Sequence, residues 1–246
     1  MRHVRALYWN NVDPMIVDLQ AKVCASLGVP LVQEEHTGTL HGAWLDATLQ
    51  GLGPDDSILF LDIDCIPLDR DIVDRAFAAA EAGRIFGVAH VAMHIDPQFL
   101  YPGPMFVALT RATWERIGSP SLLPDAKHDV GGQLMSGAMA HDVPVDMIYP
   151  NFVAVPKWPL AGHGCTGMAT FYESKVFHLF RSRRDQGYRV AFEHVARCVI
   201  ENRPIDYIWL HKKLNSLSVI VPRTMQRALL EGQRSLARLG LMSRPN

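Results

Sequence analysis

The stretch Ser57-Ile58-Leu59-Phe60-Leu61-Asp62-Ile63-Asp64-Cys65-Ile66-Pro67 sets an unbroken apolar run directly before two acids one residue apart. Preceded by Gly53-Pro54 and followed by a proline, the run reads as a strand buried on both faces, as in parallel sheets covered by helices on each side. Asp62 then stands at the carboxyl end of that strand with Asp64 just beyond it, which is where open α/β sheets bind their ligands. Two carboxylates there offer hard oxygen donors to a divalent cation such as Mg²⁺ or Mn²⁺ shared with a diphosphate. The alternative is that both acids cap the following turn and meet only water.

The pattern upstream supports a sheet of this kind. Val4 to Trp9 is a short apolar segment, followed by Asn10-Asn11 and then Asp13-Pro14, a helix N-cap with proline at the first helical position. Met15, Ile16, Leu19, Val23 and Leu27 recur at helical spacing up to Gly28, and Val29 to Gln33 reads as a second strand. A second helix is expected near His41 to Leu52. Downstream, a helix near Asp69 to Ala82 and an apolar strand near Ile85 to Val91 continue the alternation. The fold class expected is α/β, with a mainly parallel, Rossmann-like sheet flanked by helices.

Beyond His94 the rhythm loosens. Pro97, Pro102, Gly103 and Pro104 precede an apolar run from Met105 to Thr110, and helices are expected near Thr113 to Ile117 and Val130 to Ala140. Val143 to Val155 reads as extended, Lys157 to Gly167 as a glycine-rich loop, either a lid that closes over a ligand or a surface loop whose glycines only permit turns, and Phe171 to Phe180 as extended again. The last fifty or so residues read as a helical tail. From Lys212 onward, seven Lys or Arg residues accompany the single acid Glu231 and a series of leucines. Such a tail suits packing on the body or a second subunit, or contact with an anionic membrane surface.

Composition limits the functional classes. The 246 residues are 48% hydrophobic and 20% charged, enough to bury a core, and 24 basic against 25 acidic side chains give no global attraction to nucleic acid. No apolar run reaches the roughly 18 residues of a spanning helix, so the expected compartment is the cytoplasm, with the tail allowing peripheral contact with the inner face of the membrane. Cys24, Cys65, Cys165 and Cys198 lie far apart and read as reduced thiols. No P-loop, dinucleotide fingerprint, zincin or nucleophile-elbow motif is present.

With Asp62-Ile63-Asp64 closing a hydrophobic strand of a βαβ half, residues 4 to 180 resemble the nucleotide-sugar-dependent glycosyltransferases of the GT-A fold. The resemblance implies a single catalytic domain over 1–246, with a nucleotide-binding half at 1–95, an acceptor half at 96–190 and a helical extension at 191–246. It implies Mn²⁺ or Mg²⁺ as cofactor, a nucleoside-diphosphate sugar as donor, and a glycan or other hydroxyl compound as acceptor. Asp64 becomes the principal metal ligand and Asp62 the second, with Asp62 also reaching toward the ribose or sugar of the donor. The family's late histidine ligand is matched by His178 in Val176-Phe177-His178-Leu179-Phe180. Its acidic residue at a helix start is matched by Asp129, with His128 standing where glutamate is usual.

On this resemblance Asp129 is the general base or an acceptor-binding group, or simply a helix cap. Trp9, Asn10 and Asn11 stand where the base and ribose are contacted, although loop asparagines also form turns without binding anything. Trp44 and Asp46 border the same cleft or belong to the core. Arg181 and Arg183, after His178, are placed to offset charge on a departing diphosphate. Two rival functions remain: a haloacid-dehalogenase-like phosphatase with Asp62 as nucleophile and Asp64 as acid/base, and a non-catalytic module that binds nucleotide or glycan.

Overall fold

The computed structural model describes residues 1–183 and 186–216. In chain order the elements are β1 (Arg2–Trp9), α1 (Pro14–Ser26), β2 (Leu31–His36), α2 (His41–Gly51), β3 (Ser57–Asp62), β4 (Cys65–Pro67) and α3 (Arg70–Glu81). Then come β5 (Ile85–Ala92), β6 (Asp96–Thr110), α4 (Arg111–Arg116), α5 (Gly132–Ala140), β7 (Val145–Ile148), β8 (Pro150–Pro159), β9 (Cys165–Tyr172) and β10 (Val176–His178). Helices α6 (Arg189–Ile200) and α7 (Tyr207–Leu214) follow. The expected tail beyond residue 216 and Arg184 lie outside the described residues.

Helix starts follow their caps. The Asp13 side chain accepts the amide of Met15 at 3.0 Å ahead of Pro14, and Asp69 accepts that of Ile72 at 3.1 Å, each satisfying one of the donors a helix start leaves free. Helix α1 buries Ile16, Leu19, Gln20, Val23 and Cys24 along one stripe. The large sheet runs β2-β1-β3-β6-β5-β7. β1 is parallel to β2 and β3, β5 is parallel to β7, and β6 is antiparallel to both its neighbours. The architecture is therefore α/β, a mainly parallel sheet flanked by helices, with β6 linking its parallel sets.

Strand β3 is buried along its length except at Asp62, and its alternate residues feed opposite cores. Leu59 and Leu61 join α3 through Ile72, Val73 and Phe77 on one face. Ile58 and Phe60 join Trp44, Leu45 and Leu49 of α2 on the other. Each such side chain contributes about 1.5–3 kcal/mol on burial. The second sheet, β4-β10-β9-β8, packs against α1, α6 and α7 around a third core. The four cysteines are free thiols. No helix among the described residues is long and apolar enough to cross a membrane.

Two expectations are corrected. The proline-rich segment after His94 is strand: β6 begins at Asp96, with Pro102 opposite Ala89. Pro104 and Pro97 fall at the register shifts in the pairing with β5, between Gly87 and Val88 and between Val91 and Ala92 respectively. Lys157 to Gly167 is mostly hairpin rather than loop. Trp158 pairs with Thr166 and Pro159 with Cys165, which leaves only 160–164 as the turn. Gly167 is a strand residue where an added Cβ would lie 2.1 Å from the carbonyl oxygen of Val155. The glycine serves close backbone approach, not loop flexibility.

Candidate metal centre and its recess

Strand β3 ends at Asp62, the chain turns through Ile63 and Asp64, and β4 enters the second sheet, so the two acids sit where the sheets meet. Gln20, fully buried on α1, holds this turn. Its side-chain amide donates to the carbonyl oxygens of Asp62 at 2.7 Å and Cys65 at 2.9 Å, and its oxygen accepts from Gln33 at 3.0 Å. Such groups are costly to bury unpaired, so the network fixes the backbone path between the carboxylates.

His178 reaches the turn because β10 lies antiparallel to β4, with His178 opposite Cys65. Its Nε2 is 3.2 Å from Oδ1 of Asp64 and 3.9 Å from Oδ2 of Asp62. Ligand atoms of Asp62, Asp64 and His178 all fall within 4.8 Å of one another. The Nδ1 of His178 is sealed without a partner, so the ring's polar contacts are made through Nε2. Two carboxylates and an imidazole form a donor set suited to Mn²⁺ or another divalent ion of similar hardness, and the spacing fits one ion.

The two acids differ electrostatically. Burial opposes the charge on Asp64, but hydrogen bonds from His178 and from the Ser182 amide, with the histidine's charge, outweigh it and hold the carboxyl below its ordinary range. Asp62 has no such set of donors, and burial together with the neighbouring Asp64 pushes it up, against the pull of His41, His178 and Arg183. A cation between them would relieve this repulsion.

Asp62, Asp64 and His178 line a recess of about 370 Å³. Trp9, Arg181 and Arg183 also line it, with the Arg183 guanidinium 4.1 Å from the centre of the Trp9 ring and the indole N–H donating to the Thr39 carbonyl at 3.0 Å. Asn10 and Asn11 are exposed turn residues and do not line it. Arg181 is exposed at its rim with φ +64°.

Asp129 lines the recess but does not cap α5 as expected. The cap position belongs to Gly131 at φ +81°, where glycine is favoured, and Asp129 lies two residues earlier, its carboxylate accepting the Val130 amide at 2.9 Å. His128 is tied instead to Asp125 at 3.2 Å and Ser136 at 2.8 Å. Trp44 is core, edge-on to Phe60 with its indole N–H on Glu34. Asp46 accepts from the Ser121 hydroxyl and the Leu122 amide, both at 2.8 Å.

Three lining residues are not singled out by the sequence reading: His41, His90 and Tyr101. His41 approaches Asp62 to 3.6 Å from the first turn of α2. His90 and Tyr101 come from the paired strands β5 and β6, directly opposite one another. Burial, reinforced by His178 and opposed by Asp129, pushes His90 down to about 4, so its ring is neutral near pH 7. The only hint was one histidine within the apolar run Ile85 to Val91.

No family model matches the sequence, and no curated protein matches it. Among solved structures, a mannosyltransferase from Pyrobaculum calidifontis in complex with GDP-Man and Mn²⁺ is similar with TM-score 0.46 and 12% identity, over 95% of this chain and 75% of that one. A Drosophila β-1,4-galactosyltransferase mutant in complex with manganese, UDP-Gal and xylobiose gives TM-score 0.40 and 11% identity, over 67% and 70%. A 4-diphosphocytidyl-2C-methyl-D-erythritol synthase from Anaerococcus prevotii gives 0.40 and 9%, over 60% and 87%.

Proposed function

We propose that this chain is a divalent-metal-dependent glycosyltransferase of the GT-A kind, moving a sugar from a nucleoside-diphosphate sugar to an acceptor hydroxyl. The observation that carries the reading is the convergence of Asp62, Asp64 and His178 within 4.8 Å on a recess also lined by two arginines. Asp64, held ionised, is the principal ligand for Mn²⁺ or Mg²⁺, with Asp62 and His178 completing the protein's share. The bound ion supplies Lewis acidity to the departing diphosphate.

The chain's own groups divide the remaining work. Arg181 and Arg183 offset the charge that develops on the leaving group. Trp9 offers an aromatic face to the base. Asp129 accepts a hydrogen bond from the acceptor hydroxyl and takes its proton as the new bond forms. The phosphatase alternative needs Asp64 as a proton donor, and the hydrogen bonds from His178 and Ser182 favour its ionised form.

Titration calorimetry tests the reading. UDP and GDP are titrated into the protein in EDTA and in Mn²⁺. At least one is expected to bind at least tenfold more tightly with the metal, because the diphosphate supplies ligands the protein lacks. Equal affinity in both conditions, or no binding of either, would overturn it.

A further inference from the structure

The recess has a second wall that metal and diphosphate binding leave unused. His90 stands there between two aromatic rings, stacked on Phe180 at 5.8 Å and 25° and set against Tyr101 at 5.3 Å and 77°. Phe99 extends the aromatic surface from Tyr101 at 6.2 Å and 25°. His90 is partly exposed, but its Nδ1 is sealed and has no hydrogen-bond partner, which leaves the Nε2 edge for the recess.

That asymmetry selects a tautomer. A buried N–H without an acceptor is less well tolerated than a buried lone pair without a donor, so the ring's proton belongs on Nε2, where it can meet a ligand. Asp129 lines the same recess with a carboxylate that only accepts. The wall therefore offers one neutral donor, one charged acceptor and flanking aromatic faces. A diphosphate would be repelled by Asp129. A sugar ring fits, since its hydroxyls both donate and accept and its C–H face packs on aromatic carbon.

Resting on the glycosyltransferase reading, we infer that His90 is a substrate-binding residue, donating through Nε2 to a hydroxyl of a carbohydrate ring that lies against Tyr101 and Phe180 and also reaches Asp129. The ring belongs either to the acceptor or to the transferred sugar, and both present the same chemistry to this wall.

His90→Phe is the informative variant, because it keeps the aromatic stack and removes a sealed nitrogen that has no partner. Saturation-transfer NMR is run with Mg²⁺, UDP or GDP, and the methyl glycosides of glucose, galactose, mannose and xylose. Calorimetry compares UDP-glucose and GDP-mannose with UDP and GDP. A glycoside signal that falls at least tenfold in the variant supports an acceptor ring. A nucleotide-sugar advantage over the bare nucleotide that disappears in the variant supports the transferred ring. In both cases metal-dependent nucleotide affinity should stay within twofold.

Unchanged glycoside and nucleotide-sugar binding in His90→Phe would overturn the inference. So would wild-type protein that binds nucleotide with metal but no sugar ring, and the glycosyltransferase reading would then survive. If sugar binds through His90 while nucleotide does not bind with metal, that reading falls and the subsite stands. Should the variant not fold, long-range ¹H–¹⁵N spectra of the wild-type imidazole decide: Nε2 should carry the proton and shift on glycoside addition, and a proton on Nδ1 or an unmoved Nε2 refutes the assignment.

Discussion

The side-chain amide of Gln20 donates to the carbonyl oxygen of Asp62 at 2.7 Å across 42 positions of sequence, tying the first helix to the end of the third strand. The same amide reaches the Cys65 carbonyl at 2.9 Å, so one buried side chain spans the turn that carries both acids. A leucine of similar volume would leave two carbonyls and the Gln33 amide short of a partner. Gln20→Leu is expected to lose about 1–3 kcal/mol of stability and to weaken metal binding by tenfold or more. Urea unfolding and Mn²⁺ titration followed by electron paramagnetic resonance check the two effects separately. Unchanged metal affinity in a destabilised protein would remove the positioning role.

Asp64→Asn tests the metal site more directly. An amide fills the same space and still accepts from the Ser182 amide, but it gives up the charge that a cation needs. Metal-dependent nucleotide binding should disappear while the circular dichroism spectrum stays that of the wild type. A variant that binds nucleotide normally with Mn²⁺ would show that the acid is structural.

The loop before α5 should respond to acid. Amide hydrogen bonds from Lys127 and His128, and contact with the His128 ring, hold the Asp125 carboxyl down to about 2. A carboxyl whose folded pKa lies below its unfolded value stabilises the fold above the unfolded value, near 4, and that contribution fades as pH falls toward 2. Asp125→Asn should therefore be less stable than wild type at pH 6, with the gap narrowing by pH 3 and nearly closed at pH 2. Urea midpoints across this range provide the check, and a gap independent of pH would contradict the assignment.

Hydrogen exchange distinguishes a hairpin from a lid over 157–167. Amides bonded in the β8–β9 ladder should exchange slowly without ligand, while unbonded amides of the 160–164 turn exchange fast. Gly167→Ala should cost about 1–3 kcal/mol or more, because its Cβ would press on the backbone of Val155. Fast exchange throughout, or a neutral substitution, would restore the loop.

Short stretches of sequence were enough to give the α/β class, the cap at Asp13, a helix beginning near Asp69, and the position of Asp62 and Asp64 at a strand end. These depend on neighbours a few residues apart, through helical periodicity, an apolar run and the reach of a side chain to the next turn's amides. His178 was legible only because the acid pair prompted a search for a third ligand. Tertiary structure alone decided that β10 lies beside β4, bringing His178 to within 3.2 Å of Asp64. It also decided that His41, His90 and Tyr101 face the same recess, that Asn10 and Asn11 do not, and that 157–167 is mostly a hairpin with Gly167 in its second strand. Each of these outcomes depends on which strands pair and in what register. That choice is made by burial summed over the whole sheet, a sum no single segment of the chain contains.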